Sequence, residues 1–108
     1  MKNPAQAIAC AAKLAILADS TRLAVVGVLL GGPRNVTEIN REIRTAQNLL
    51  SHHLRILRDA GIVISCREGK AVRYSLAPGV EVGSSHRALN LGCCSLTFEK
   101  AMVQRKAL

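Results

Sequence analysis

Cys93 and Cys94 stand side by side in a chain with only two other cysteines, Cys10 and Cys66. Adjacent thiolates can both reach one ion where the backbone bends, and soft thiophilic ions favour sulfur over oxygen donors. The same pair could serve as a disulfide or polysulfide switch, or carry the turnover of a small thiol enzyme. Two neighbours face different directions in regular structure, so Cys93 and Cys94 need not both be core. Cys10, on an Ala-rich segment, reads equally as a small buried hydrophobe, and Cys66, in a strand pattern, as a packing or incidental residue. The enzyme reading has little beside it, since the chain has no Cys-x-x-Cys and no cofactor motif.

A second group of side chains carries recognition chemistry. From Ala46 to Ala60 the apolar positions Leu50, Leu54, Leu57 and Ala60 fall on one helical face, leaving Gln47, Asn48, Ser51, His52, Arg55 and Arg58 nearer the other. Gln and Asn pair bidentately with adenine edges and Arg with guanine, so this face suits a helix laid in the major groove. Gln47, Asn48, Ser51 and His52 are the candidate base readers. His53, one position further round, either touches a phosphate or packs beneath the helix, and Arg55 and Arg58 are candidates for the phosphate backbone. Taken alone, the same pattern also describes an ordinary amphipathic surface helix with a solvated charged face.

These residues need positioning elements, and the periodicity supplies them. Ile8, Ala11, Ala12, Ala15 and Ile16 predict a first helix from about Pro4 to Leu17. Ser20 can cap a second, with Leu23, Val26, Leu29 and Leu30 as its core stripe before Gly31-Gly32-Pro33. Asn35 and Glu38 have the spacing of a capping box, which opens a third, short helix from Val36 to about Arg44. After the helix that Gly61 ends, Ile62–Cys66 and Ala71–Leu76 read as strands joined at Glu68-Gly69-Lys70. Arg67, Lys70 and Arg73 would carry this charged hairpin along DNA. Val80–Ser85 reads as a flexible connection, Leu89–Phe98 fits a strand or a helix, and Glu99–Leu108 a short polar helix or frayed tail. The fold class is mainly α with a small β-hairpin wing, a winged helix-turn-helix over residues 1–78, followed by a segment at 79–108 that carries the cysteine pair.

Composition narrows the partner. The chain has 108 residues, 15 Lys plus Arg against 7 Asp plus Glu, a formal charge of +8 and a pI near 10.1. That balance favours a polyanion over an acidic small substrate, and a chain this short gains from forming a dimer. With no Trp, one Tyr and one Phe, it lacks the stacking platforms of single-strand and RNA binders, so duplex DNA is the expected partner. Ala7-Ile8-Ala9-Cys10 faintly resembles a lipoprotein cleavage box, but the apolar stretch before Cys10 is too short and Lys13 interrupts the apolar run after it. No segment approaches a membrane span. The expected setting is cytoplasmic, with the four cysteines reduced.

Leu17-Ala18-Asp19-Ser20-Thr21-Arg22-Leu23, then Ser51-His52-His53-Leu54-Arg55-Ile56-Leu57-Arg58-Asp59-Ala60-Gly61-Ile62-Val63, then Arg67-Glu68-Gly69-Lys70 and Tyr74-Ser75-Leu76, resemble the ArsR/SmtB arsenic- and metal-responsive repressors. The resemblance covers about Ala15 to Leu76. It implies a homodimer that holds operator DNA and releases it on binding an inducer. The family's well-known arsenic site, a Cys-Val-Cys on the third helix, is replaced here by Asn35-Val36-Thr37. Its carboxy-terminal zinc site needs Asp and His partners, and beyond the wing stand only His86, Glu81 and Glu99, without the matching spacing; His86 reads as a solvated loop residue. In the family the first helix and the carboxy-terminal segment meet, which makes Cys10 the candidate third sulfur beside Cys93 and Cys94, from the same or the partner subunit. The implied inducer is arsenite or another thiophilic ion. Some arsenic-responsive members carry a third cysteine just after such a pair; this chain has none there. A thiol-based redox switch on the same fold and an effector-free structural DNA binder remain the alternatives.

Overall fold

The computed structural model describes residues 3–82 and 87–99. Helix α1, Pro4–Leu17, begins where the Asn3 side chain accepts the backbone N–H of Gln6, with Pro4 at the first helical position, where a missing N–H is harmless. Helix α2 spans Ser20–Leu30, but its cap is Asp19 and not Ser20 as expected. The Asp19 carboxylate accepts the Arg22 N–H at 3.0 Å, and Ser20 is already inside the first turn. α2 is buried continuously from Val25 to Leu30 because α1 and later elements surround it, whereas Leu23, expected in the core stripe, is half-buried.

A two-residue strand β1, Arg34–Asn35, leads into α3, Val36–Ile43, through the expected capping box. Glu38 N–H donates to the Asn35 side chain at 2.8 Å and Asn35 N–H to the Glu38 carboxylate at 3.1 Å. α3 ends at Arg44, which takes a left-handed conformation (φ 58°) at a cost of about 1 kcal/mol for a residue with a Cβ. Asn40 offsets that cost by gripping Thr45 twice, donating to its carbonyl at 2.8 Å and accepting its N–H at 2.9 Å. The turn so fixed sets the angle at which α4, Gln47–Asp59, leaves α3. α4 buries Leu50, His53, Leu54 and Leu57; Ala60, expected on that face, is the exposed residue that ends the helix, and Gly61 (φ 78°) turns the chain away.

Strands β2, Val63–Glu68, and β3, Ala71–Leu76, pair antiparallel from Val63 opposite Leu76 to Glu68 opposite Ala71, with β1 on the far side of β3. Four helices and this hairpin make a winged helix-turn-helix. A second sheet follows, in the order β4 (Glu81–Val82), β5 (Ala88–Asn90), β6 (Ser95–Thr97). The stretch that fitted either strand or helix is therefore a hairpin, with Leu89 and Leu91 buried in the same core as α2 and α4. Of the expected flexible connection, Val80 accepts the Asn90 N–H at 2.7 Å and Glu81–Val82 is paired to β5; residues 83–85, and all of the tail except exposed Glu99, lie outside the described residues. Among the described residues no helix is long and apolar enough to cross a membrane.

Candidate functional site

The β5–β6 turn presents the cysteine pair. Asn90 Oδ1 accepts the Gly92 N–H at 2.9 Å, Gly92 takes a positive φ of 87°, and Leu91 N–H donates to the Cys94 carbonyl at 2.9 Å, which closes a tight loop with Cys93 and Cys94 at its end. Lys13 of α1 donates to the Leu91 carbonyl at 2.8 Å and so docks this loop on the first helix. Cys10, one helical turn before Lys13, then lies against both cysteines. Its sulfur is bonded to that of Cys93, and the Cys94 sulfur lies 3.7 Å from Cys10 and 3.9 Å from Cys93. All three sulfurs fall within 4.8 Å of one another, in a single chain.

The expectation that all four cysteines are reduced does not hold for Cys10 and Cys93. Docking the loop on α1 brings their Cα atoms to 5.8 Å, inside the range a disulfide spans. In the reduced form the same three sulfurs offer a set suited to one soft ion. Cys66, read as a packing or incidental residue, is exposed on β2 and is not one of the three gathered sulfurs. His86 lies outside the described residues. Lys13 was missed from the sequence, although its spacing of three from Cys10 puts both on one helical face.

A polar cluster under α4 was missed as well. His53 is only 8% exposed, so of its two sequence readings the packing one holds and phosphate contact does not: it lies among Leu50, Leu54 and Leu57 on the inner face. Its Nδ1 is 3.4 Å from Arg22 Nη1 and 3.8 Å from the Asp19 carboxylate, while Arg22 Nε donates to the Ile16 carbonyl at 2.7 Å. The α1–α2 corner is thereby tied to α4. The N–H of Arg22 holds the Asp19 carboxyl below its ordinary value, helped by the charges of His53 and Arg22 and the Thr21 N–H, against desolvation that pushes it up. A lowered folded value means that the ionised Asp19 stabilises the fold above the unfolded value of 3.8, and that this contribution disappears as pH falls through the folded value. Asp19→Asn keeps a capping side chain but removes the charge. Denaturant unfolding should find it less stable than the parent at neutral pH, with the gap closing below about pH 4. An unchanged gap at low pH would show that the charge is not responsible.

On the outer face, Gln47, Asn48, Ser51, His52, Arg55 and Arg58 are all exposed, as are Arg67 and Lys70 at the hairpin tip. Gln47 also lines an open cleft with Val36, Thr37, Asn40 and Arg41, which adds the exposed side of α3 to the polar surface. Arg73 differs from the other wing cations. It is half-buried, and its Nε donates to Glu68 at 3.2 Å across the hairpin, so it braces the wing. Arg34 is buried, donating to the Gly32 and Pro33 carbonyls, and stands apart from this surface.

Comparison with known proteins agrees with this arrangement. A family model described as "Bacterial regulatory protein, arsR family" matches residues 19–65, from the α2 cap to the first wing strand. The chain is 39% identical over 66 residues to the HTH-type transcriptional regulator NmtR of Mycobacterium tuberculosis, covering 61% of this chain and 55% of that protein. It is 36% identical over 66 residues to the arsenical resistance operon repressor of Escherichia coli, covering 60% and 56%. This chain thus spans just over half the length of these curated relatives. Among solved structures, the transcriptional repressor BigR from Xylella fastidiosa superposes with a TM-score of 0.63 at 35% identity, covering 67% of this chain and 71% of that one. These relatives are a transcriptional regulator and two repressors. With the capped α3–α4 unit, the wing and these matches in agreement, the chain belongs to the arsR family of bacterial regulatory proteins.

Proposed function

We propose that this chain is a DNA-binding repressor that holds a pseudo-palindromic operator as a homodimer in the cytoplasm and lets go when arsenite, or a related thiophilic ion, binds Cys10, Cys93 and Cys94. The observation that carries the reading is the gathering of three sulfurs within 4.8 Å between α1 and the β5–β6 turn, in a chain whose α3–α4 unit presents a polar, basic face. The bound ion supplies a bridge between sulfurs of two elements. Cys93 and Cys94 belong to the loop that Lys13 docks, Cys10 to α1, and the Ile16–Arg22–His53 contacts lead from α1 to α4. Tightening the first junction therefore bears on the second.

In this reading Gln47, Asn48, Ser51 and His52 meet base edges, Arg55 and Arg58 meet phosphates, and Arg67 and Lys70 follow the neighbouring backbone. Support for the homodimer comes from α1, where Ile8 is 71% and Leu14 37% exposed, beside exposed Ala11, Ala12 and Ala15. A second copy of the chain is the partner that would cover it.

Two measurements test the reading. Native mass spectrometry of the reduced protein should find one arsenic per chain, lost in Cys94→Ser; a reduced protein that retains none sinks the effector assignment. Binding to DNA from upstream of its own coding sequence should weaken with salt, and Arg55→Ala and Arg67→Ala should each lower the slope of log affinity against log salt by about 0.9. Slopes equal to the parent's would remove these two residues from the phosphate contacts.

A further inference from the structure

We propose that the sulfur cluster is also a site of covalent oxidation with assigned roles: Cys93 takes up a low-molecular-weight disulfide, Cys10 resolves it, and the oxidised chain is closed to thiophilic ions. The inference rests on the same site as the ion reading but adds a second class of ligand and an order of events.

Access sets the order. In the disulfide-linked structure Cys93 is exposed at the end of the loop, Cys94 is half-buried and Cys10 is 1% exposed. The proposal carries this order of access to the reduced chain, where an external reagent meets Cys93 first. Thiol–disulfide exchange is governed by which sulfur can be approached. In the first step the Cys93 sulfur attacks one sulfur of R–S–S–R, a Cys93–S–S–R bond forms, and one RSH leaves with the proton from Cys93. In the second, the Cys10 sulfur attacks the Cys93 sulfur, the Cys10–Cys93 bond forms, and the second RSH leaves with the proton from Cys10. Two protein thiols are oxidised to one disulfide, and one small disulfide is reduced to two thiols.

Geometry selects the resolving residue. Cys10 and Cys93 have Cα atoms 5.8 Å apart and are joined in the structure, whereas a bond between adjacent Cys93 and Cys94 closes a small ring that includes the intervening planar peptide. Cys94 stays a free thiol. Once Cys10 and Cys93 are bonded to each other, only the Cys94 sulfur can still ligate, so the three-sulfur site no longer exists. The disulfide also ties α1 to the β5–β6 turn, the two elements an ion would bridge.

Oxidised glutathione tests the proposal on the full chain in a Cys66→Ser background, which removes the exposed bystander thiol. Intact-mass time courses of the parent should show loss of two hydrogens with no retained adduct. Cys10→Ser should accumulate one glutathione on Cys93 by peptide mapping, and Cys93→Ser should react on the order of tenfold more slowly, because its remaining thiols are shielded. The oxidised parent should retain no arsenic and regain it after reduction by dithiothreitol. A Cys93–Cys94 bond in Cys10→Ser, an adduct on Cys10, or oxidised parent that retains arsenic as well as reduced parent would overturn the proposal. A reduced parent that retains no arsenic would instead defeat the ion reading and leave the assigned oxidation order to stand or fall on the mass data.

Discussion

Leu54→Ala is expected to lower the unfolding free energy by about 2–5 kcal/mol, the cost of losing buried methyl groups together with the cavity they leave. Leu54 is 1% exposed and lies in one cluster with Val26 and Leu29 of α2, Ile39 of α3 and Leu57 of α4. Small domains have only about 5–15 kcal/mol in total, so the loss is a large part of what holds α4 in place. Chemical unfolding followed by far-ultraviolet circular dichroism measures it, and Leu49→Ala, at a 44% exposed site on the same helix, serves as the control with a change of about 0.5 kcal/mol or less. A loss at Leu54 no greater than at Leu49 would mean that α4 is not anchored through this face.

The second large effect concerns response. Replacing Cys93 and Cys94 together with Ser should leave operator affinity in the absence of ion within a factor of about two, since neither side chain belongs to the proposed DNA face, yet remove the arsenite-dependent loss altogether. What disappears is a coupling of about 1–3 kcal/mol, or roughly 5–150-fold in affinity. Cys66→Ser, at an exposed site on β2, should respond as the parent does. Fluorescence anisotropy on labelled operator reads all three proteins; a doubly substituted protein that still responds would place the sensor elsewhere.

Where a structure depends on near neighbours, the sequence was informative. The capping box of α3 rests on Asn35 and Glu38, three positions apart, and α1, α4 and the wing strands have clear periods and stop signals. Asp19 and Ser20 both suit a cap by type; Asp19 takes the position, and its carboxylate also lies 3.8 Å from His53, 34 positions away. His53 had packing beneath α4 as one of its two readings by helical angle, but its partners Arg22 and Asp19 lie 31 and 34 positions away and become visible only in the fold. The cysteine cluster shows the limit most clearly. Cys93 and Cys94 stand out as a pair, whereas joining Cys10 across 83 residues depends on the β5–β6 loop docking through Lys13 on α1, and the short apolar run that forms the loop fits helix and strand alike.

The central claim is that ligation at the sulfur cluster governs DNA binding, and its most direct test is the operator affinity of the fully reduced chain, measured at fixed salt with and without one equivalent of arsenite. The account predicts a weakening of roughly 5–150-fold, reversed when a competing dithiol removes the arsenic. Arsenic bound in one-to-one ratio with operator affinity unchanged would contradict it.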